Sequence, residues 1–122
     1  MKTALIYSKD FSSCCFGVDH PFKVQRYRLA FELMRAYGLT DGAGKVVGEY
    51  PVVGDDDLLS FHAPDYLARL KEFNAASEPR ADFRYGLGDV ENPVFPGFFD
   101  WACLGTAGTV CLLTWRDRSS PG

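Results

Sequence analysis

The sequence predicts an α/β fold in which a helix joins two parallel strands. Residues 3–7 (TALIY) form a short, almost continuous apolar run, which is typical of a strand covered on both faces. Apolar residues recur at three- and four-residue steps between Val24 and Tyr37, and this spacing indicates a helix. A second apolar run lies within residues 45–53. Because a helical crossover normally joins parallel strands, the three segments together predict a strand–helix–strand unit.

The predicted first helix has a recognisable start and stop. Residues 8–19 are rich in Ser, Gly and Asp and are interpreted as a loop. Asp19 then supplies a capping carboxylate, and Pro21 stands in the first turn. Gly38 follows the last apolar position and predicts the end of the helix.

Two helices are predicted in the middle of the chain. Asp55, Asp56 and Asp57 precede a short one. Three adjacent carboxylates cannot all face one ion, so a solvated helix start is favoured over a cation site. Pro64 opens the second helix. Its predicted inward residues are Tyr66, Leu67, Leu70 and Phe73, and its predicted solvent-facing residues are Arg69, Lys71 and Glu72.

The last helix is predicted over residues 98–115, after a surface connection at residues 75–82. Gly105, Ala107 and Gly108 give this helix a smooth face that another backbone can approach closely. Residues 116–122 have no apolar periodicity and are predicted to be a disordered or divergent tail.

Residues 85–110 are the stretch that the other elements support. The stretch opens with glycines, passes Asp89 and Glu91, and turns at Pro93 and Pro96 before the last helix. Glycine and proline beside apolar residues indicate a loop packed onto a core. Loops of this kind commonly carry functional groups, although an ordinary connection has the same signature.

Composition is that of one ordinary globular domain. The chain has 122 residues, 47% of them hydrophobic and 24% charged. A net charge of −3 gives no support for nucleic-acid or membrane-surface binding. There is no run long enough for a membrane span, and the first residues are too short for a signal peptide. Four cysteines without a C-x-x-C pair are interpreted as reduced thiols, and we expect a cytoplasmic protein.

Catalytic motifs are missing from the residue pattern. The two histidines, His20 and His62, have no metal-ligand spacing and no obvious nucleophile partner. The sequence has no G-x-S-x-G elbow and no phosphate-binding glycine loop. The residues alone therefore predict an α/β unit without a self-contained active site.

Four stretches nevertheless resemble, in order, the amino-terminal part of the zinc-dependent histone deacetylase superfamily. This superfamily includes the bacterial acetoin-utilisation proteins and the acetylpolyamine amidohydrolases. The stretches are ALIYS (residues 4–8), DHPFKVQRYRLAFELMRAYGL (19–39), LLSFHAPDYLARL (58–70) and GDVENPVFPGFFDWACLGTAGTV (88–110). The resemblance covers about nine-tenths of this chain, fades after Val110, and spans about the first third of the family's usual domain. Residues 1–115 are therefore expected to form the amino-terminal part of a deacetylase-like α/β domain.

The resemblance implies a partial three-layer α/β fold, in which helices flank an open parallel sheet (arginase/deacetylase-like). It also implies hydrolysis of acetyl-lysine-type amides or acetylated small amines by a zinc-bound water. The zinc ligands and catalytic histidines of the family belong to its later segments. The chain alone is therefore expected to bind no Zn²⁺ and to be inactive, with neither a catalytic residue nor a metal ligand of its own.

Three candidate substrate-binding residues follow from the resemblance. Glu91 matches the rim carboxylate of the family, usually aspartate, and Asp89 takes that role under a shifted alignment. Arg26 matches the arginine of the family's internal channel. His20 and His62 are expected to be architectural, as hydrogen-bonding residues at helix ends.

Three hypotheses of function remain open at this point. The first is the amino-terminal portion of a zinc-dependent deacetylase. The second is a non-catalytic α/β interaction module, and the third is an unrelated small α/β binding domain. A parallel sheet needs cover on both faces, so we expect marginal stability or self-association, with an apolar patch exposed along residues 105–110.

Overall fold

The regular structure of the described residues consists of two parallel strands and four α-helices. A computed structural model describes residues 3–14, 16–41, 44–49 and 51–118. The strands are β1 (Thr3–Ile6) and β2 (Gly44–Val47). The helices are α1 (Gln25–Ala36), α2 (Asp55–Leu59), α3 (Pro64–Asn74) and α4 (Phe98–Arg118), and short 3-10 turns occupy Lys9–Ser12 and Phe83–Tyr85. The α/β class and the order of elements are confirmed.

The parallel pairing of the two strands is also confirmed. Leu5 lies opposite Val46 and Ile6 opposite Val47, while α1 connects the strands. The Tyr7 N–H extends the ladder by donating to the Val47 carbonyl at 3.1 Å. The apolar run of residues 3–7 thus forms a strand because both of its faces meet other parts of the chain.

β2 is shorter than the predicted residues 45–53. Pro51 has no N–H to donate to a ladder, and Val52 is 86% exposed. Tyr50 lies outside the described residues. Residues 48–49 and 51–54 have no regular secondary structure, so the strand ends at Val47.

α1 begins later than predicted. Asp19 and Pro21 belong to the turn that precedes it, because the Phe22 N–H donates to Nδ1 of His20 at 3.1 Å. The helix starts only at Gln25, so the predicted start is wrong. An imidazole that accepts a backbone hydrogen bond holds these residues in a turn, and this competes with helix formation.

The end of α1 is the predicted one. Gly38 has φ +69°, a left-handed conformation that favours glycine and stops the helix. The Gly38 N–H donates to the Arg35 carbonyl and the Leu39 N–H to the Met34 carbonyl, each at 2.9 Å. These bonds satisfy carbonyl groups that the end of the helix leaves open.

Helices α2 and α3 follow the predicted pattern. Oδ2 of Asp57 accepts from the Gly54 N–H at 3.1 Å, so the acidic run starts a helix as predicted. Leu67 and Phe73 of α3 are buried on its inner face. An ion pair between Lys71 and Asp55 joins the two helices.

The main hydrophobic core lies between α3, the segment 85–97 and the start of α4. It comprises Phe73, Leu87 and Val94, against which Leu70, Tyr85 and Phe98 pack. Apolar residues of the segment 85–97 thus share one core with two helices. The prediction that this segment is a loop packed onto a core is confirmed.

An aromatic cluster joins the segment before α1 to α4. The Phe16 ring centroid lies 5.1 Å from those of Phe22 and Phe95 and 5.5 Å from that of Trp101, all three in edge-on contacts. The Trp101 indole N–H donates to the Phe11 carbonyl at 3.0 Å. Aromatic contacts and one partly buried hydrogen bond therefore connect the segment before α1 to the start of α4.

Helix α4 packs against β1, and helix α1 contacts the residue that follows β1. The Tyr7 ring, just beyond β1, stacks on Phe31 of α1 with centroids 3.8 Å apart, and α4 packs against the strand itself. This arrangement is compatible with a partial deacetylase fold. The three-layer, arginase-like arrangement stays a prediction.

Helix α4 ends later than predicted. α4 continues to Arg118, past the predicted end at Trp115, and residues 119–122 lie outside the described residues.

Cys103 and Cys111 are free thiols, as predicted, and Cys15 lies outside the described residues. Within the described residues, no helix combines the length and the apolar content of a membrane span.

Exposed apolar side chains occur in several elements, and three of them follow one flank of α1 and its C-cap residue. Leu29, Leu33 and Tyr37 are 55%, 59% and 75% exposed, and we call them the α1 apolar stripe. The predicted patch along residues 105–110 is interrupted, because Ala107 and Gly108 are buried. Helix α1 thus presents apolar residues on a flank that no described element covers.

Candidate functional site

The candidate site is the loop of residues 86–97, which two buried residues hold against the core. Leu87 and Val94 are only 6% and 9% exposed. Leu87 also pairs with Asp82 in an antiparallel bridge, in which the two residues exchange N–H to carbonyl bonds of 2.9 and 3.1 Å. Residues 88–93 therefore project between two fixed points.

Gly88 is required where the loop crosses residues 80–81. Its φ is +87°. A Cβ at this position would lie 2.5 Å from the Arg80 carbonyl oxygen and 2.6 Å from the Ala81 Cα. The Gly88 N–H donates to the Asn92 carbonyl at 2.9 Å and closes the loop. Only a residue without a side chain permits this crossing.

The two acidic residues of the loop have different environments. Oδ1 of Asp89 accepts from the Glu91 N–H at 3.0 Å and from the Asn92 N–H at 2.6 Å. This local pattern is an Asx turn, so the Asp89 carboxylate is used to shape the loop. Within the described part of the chain the exposed Glu91 carboxylate accepts no hydrogen bond. Among the described contacts, both carboxylate oxygens of Glu91 are therefore unbonded, whereas one oxygen of Asp89 is used within the loop.

A cleft of about 370 Å³ lies between the loop, α3 and α4. Its aromatic walls include Phe16, Tyr66, Tyr85, Phe95, Phe98 and Trp101. Its polar lining groups include His62, Asn92 and Cys103, whereas Asp89 and Glu91 are not among its lining residues. Asn92 of the loop thus lines the cleft, while Asp89 and Glu91 are exposed to solvent, and the mostly apolar lining suits a largely apolar group.

The two histidines have different roles. His20 accepts the Phe22 N–H and stacks on Phe16 with centroids 5.1 Å apart, so its architectural role is confirmed. His62 is half-buried in the wall of the cleft and contacts Tyr66 with centroids 5.8 Å apart. Its ring also contacts Phe61, with centroids 5.1 Å apart, and its predicted hydrogen-bonding role stays a prediction.

A tyrosine–aspartate pair stands at the mouth of the cleft. The Tyr85 hydroxyl donates to Oδ2 of Asp65 at 2.9 Å. This hydrogen bond lowers the pKa of the Asp65 carboxyl and raises the pKa of the Tyr85 hydroxyl. The bond ties the start of α3 to the 3-10 turn from which the loop departs.

Replacing Tyr85 by phenylalanine should remove a pH-dependent part of the stability. Because the folded pKa of Asp65 lies below its ordinary 3.8, the bond stabilises the fold above that pH. The contribution is lost as the pH falls through the lowered folded pKa. At the alkaline end it is lost as the pH rises from 10.0 through the raised folded pKa of Tyr85. Thermal melts of both proteins over this range check the prediction, and a difference in Tm that stays constant at acidic pH contradicts it.

Arg69 is a residue of the site that sequence reasoning missed. It was predicted to face solvent, but its side chain is only 35% exposed and its Nε lies 3.2 Å from Oδ2 of Asp82. Its guanidinium also lies 5.8 Å from the Tyr85 ring centroid. Its helical position alone gave no signal of this, because Asp82 comes from a distant part of the chain. Arg69 thus attaches α3 to the base of the loop.

The chain is similar to curated deacetylase-type proteins over nearly its whole length. It is 29% identical to the acetoin utilization protein AcuC of Bacillus subtilis over 93% of this chain and 29% of that protein. It is 32% identical to histone deacetylase 9 of Arabidopsis thaliana, over 89% of this chain and 26% of that protein. For human histone deacetylase 1 the identity is 26%, over 89% and 23% of the two chains. The chain is related to the histone deacetylase superfamily. No protein-family model matches it.

The relationship to the histone deacetylase superfamily covers only part of the relatives. The chain spans 29% of the length of the Bacillus subtilis relative and 21% of histone deacetylase 1 of Oryza sativa. In the structure, the stretches that resemble the superfamily form β1, α1, α3 and the loop with α4. Of these elements, α3 and the loop with α4 line the cleft, whereas β1 and α1 contribute no residue to its lining.

Arg26 lies apart from the cleft. It is exposed in the first turn of α1, and its guanidinium is 4.7 Å from the Phe22 ring centroid. Phe22 in turn packs against Phe16 and Trp101, which line the cleft. The cleft's lining thus includes neither Arg26 nor Glu91, and their deacetylase-like roles stay predictions.

The described residues do not form a metal centre. They contain no group of three or more His, Cys, Asp or Glu side chains placed to hold an ion. The residues described here therefore do not fit the zinc ion of the deacetylase superfamily. No catalytic step through zinc follows from them.

Proposed function

We propose that this chain is the amino-terminal portion of a zinc-dependent deacetylase that hydrolyses acetyl-lysine-type amides. The observation that carries the proposal is the similarity to AcuC over 93% of this chain. In this proposal the chain supplies the loop that forms one rim of the substrate pocket. The zinc ligands and the catalytic histidines are supplied by polypeptide outside it, so the chain alone has no hydrolytic activity.

Within the proposed function, Glu91 is the rim residue that accepts hydrogen bonds from the substrate backbone. Its exposed carboxylate is uncommitted, whereas that of Asp89 is bonded to two N–H groups of its own loop. A glutamate reaches about 1 Å further than the usual aspartate, which favours a looser contact. We also propose that Arg26 serves the internal channel, with Phe22 and its aromatic neighbours between the guanidinium and the cleft.

A chimeric enzyme tests this proposal. The matched segment of the Bacillus subtilis relative is replaced by this chain, and zinc content and hydrolysis of an acetyl-lysine peptide are measured beside the parent protein. We expect zinc and turnover in the chimera and neither in the chain alone. Glu91→Ala should lower kcat/KM about tenfold to a hundredfold, because a charge-assisted hydrogen bond contributes roughly 1.5–3 kcal/mol. A folded, zinc-loaded chimera without turnover, or turnover by the chain alone, contradicts the proposal.

Asp89 and Glu91 should also differ in their effect on stability. Asp89→Ala removes the acceptor of two backbone N–H groups and should lower the free energy of unfolding by about 1 kcal/mol. Glu91→Ala is the matched control and should change it by less than about 0.5 kcal/mol, because its carboxylate has no described partner. Urea unfolding of both variants measures the difference. Equal effects at the two positions would contradict the assigned roles.

The α1 apolar stripe favours a second candidate function, a non-catalytic interaction module in the cytoplasm. Leu29 and Leu33 are more than half exposed, and apolar residues grouped on one flank mark interaction surfaces. Self-association of the chain is the simplest form of this function. Light scattering after size exclusion tests it: Leu33→Asp should abolish a dimer of the module, and a monomer at all concentrations argues against self-association.

A further inference from the structure

Asp82 uses all of its polar groups in contacts at the base of the loop. Its backbone N–H and C=O pair with Leu87 in the antiparallel bridge. Oδ1 of its carboxylate accepts from the Arg84 N–H at 3.2 Å, and Oδ2 lies 3.2 Å from Nε of Arg69. The side chain is only 20% exposed, so water screens its charge incompletely. Asp82 thus connects α3, the 3-10 turn and the first anchor of the loop.

Backbone hydrogen bonds connect the Asp82 bridge to Glu91. Gly88 is the first residue after the bridge, and its N–H donates to the Asn92 carbonyl at 2.9 Å. The Glu91 N–H donates to the Asp89 carboxylate at 3.0 Å. A continuous series of contacts therefore runs from α3 through the bridge to the backbone of Glu91.

A second ion pair joins α3 to the segment before Asp82. Oε2 of Glu72 pairs with Arg69 on the same helix at 2.7 Å, and its Oε1 lies 3.3 Å from Nη1 of Arg80. Glu72 and Arg80 are each about half exposed, so water screens their attraction and the pair contributes little. The less exposed pair of Arg69 and Asp82 is therefore the stronger attachment of this segment to α3.

We propose that Asp82, through its ion pair with Arg69, is a positioning residue for the rim carboxylate of Glu91. The consequence for substrate binding rests on the proposed function. Neither Asp82 nor Arg69 lines the cleft, so their effect is exerted through the loop. The Glu91 side chain has several rotatable bonds, and a fixed backbone limits the positions that its carboxylate can reach. The ion pair therefore lowers the entropic cost of binding a substrate at the rim.

Steady-state kinetics of the chimeric enzyme test this role. Asp82→Asn keeps the shape of the side chain and the acceptor for the Arg84 N–H, but it removes the charge that faces Arg69. We expect KM to rise about threefold with kcat nearly unchanged, because the lost interaction contributes to binding and not to the chemical step. Arg69→Met should give the same rise. Glu32→Gln is the matched control, since it removes the exposed ion pair with Arg28 on α1 and should change neither constant.

A double-mutant cycle separates positioning from a general loss of stability. In a chimera that carries Glu91→Ala, the further change Asp82→Asn should leave KM unchanged, because the carboxylate that it positions is absent. An equal rise of KM with and without Glu91 overturns the inference. An unchanged KM in the single variant Asp82→Asn also overturns it.

Amide exchange in the chain alone provides a test that does not depend on turnover. The N–H groups of Gly88 and Glu91, both bonded within the loop, should exchange about threefold faster in Asp82→Asn and at the parent rate in Glu32→Gln. Equal exchange in Asp82→Asn and the parent chain overturns the positioning role. A chimera with the unchanged sequence and no turnover refutes the proposed function instead, and the exchange measurement then decides this inference.

Discussion

Gly88→Ala is expected to lower the free energy of unfolding by about 3 kcal/mol. The new methyl group would lie 2.5 Å from the Arg80 carbonyl oxygen and 2.6 Å from the Ala81 Cα. Both neighbours are backbone atoms, so relief requires the loop and residues 80–81 to separate. The φ of +87° adds the cost of a left-handed conformation for a residue with a Cβ. Urea unfolding followed by circular dichroism measures the change.

Gly105→Ala is the matched control for this prediction. Gly105 lies inside α4 and an added Cβ there has nothing within 4 Å. Since alanine is a better helix former than glycine, this variant should gain up to about 1 kcal/mol. Losses of similar size in both variants would mean that the close crossing at Gly88 does not constrain the loop.

Local periodicity predicted the helices and strands well because their packing follows the same spacing. α3 has its buried residues at the positions that its three- and four-residue steps indicate. The start of α1 was missed for a tertiary reason. Phe16 and Phe22 pack together, and His20 accepts a hydrogen bond from the Phe22 N–H. The segment with Asp19 and Pro21 is therefore held in a turn and does not join the helix.

The loop could be located from the sequence, but the roles of its individual residues could not be assigned. Asp89 and Glu91 are two residues apart, and the sequence makes both of them candidates for a rim carboxylate. Only the structure shows that the Asp89 carboxylate accepts hydrogen bonds from two N–H groups of its own loop. Gly88 is one of several glycines in the sequence, and its close crossing depends on residues 80–81. Arg69 likewise pairs with Asp82 across a long separation that no periodicity encodes.

The resemblance to the deacetylase superfamily identified the relatives but did not locate the exposed surfaces. The α1 apolar stripe depends on which elements cover α1. Sequence spacing identifies an apolar flank but does not specify its partner. For the same reason the predicted patch at residues 105–110 was partly wrong: Ala107 and Gly108 are buried against other residues of the chain.

Phe73→Ala is expected to lower the free energy of unfolding by about 4 kcal/mol, because it empties the centre of the core that holds the loop. Phe73 is 5% exposed and clusters with Leu87 and Val94, the two anchors of the loop. The cavity therefore removes contacts from both ends of the projecting segment at once. Because stabilities of small domains are only about 5–15 kcal/mol, this loss removes a large fraction of the total.

Phe61→Ala provides the matched control for the core prediction. It makes the same chemical change, but Phe61 is 88% exposed, so the variant should lose less than about 0.5 kcal/mol. Denaturant melts give both values, and amide exchange of residues 86–97 shows whether the loop loosens before the rest of the chain unfolds. We expect it to do so in Phe73→Ala, since the loop draws both of its buried contacts from that cluster. A loop that stays as protected as α4 would mean that Gly88 and the Asp82–Leu87 bridge hold it without the core.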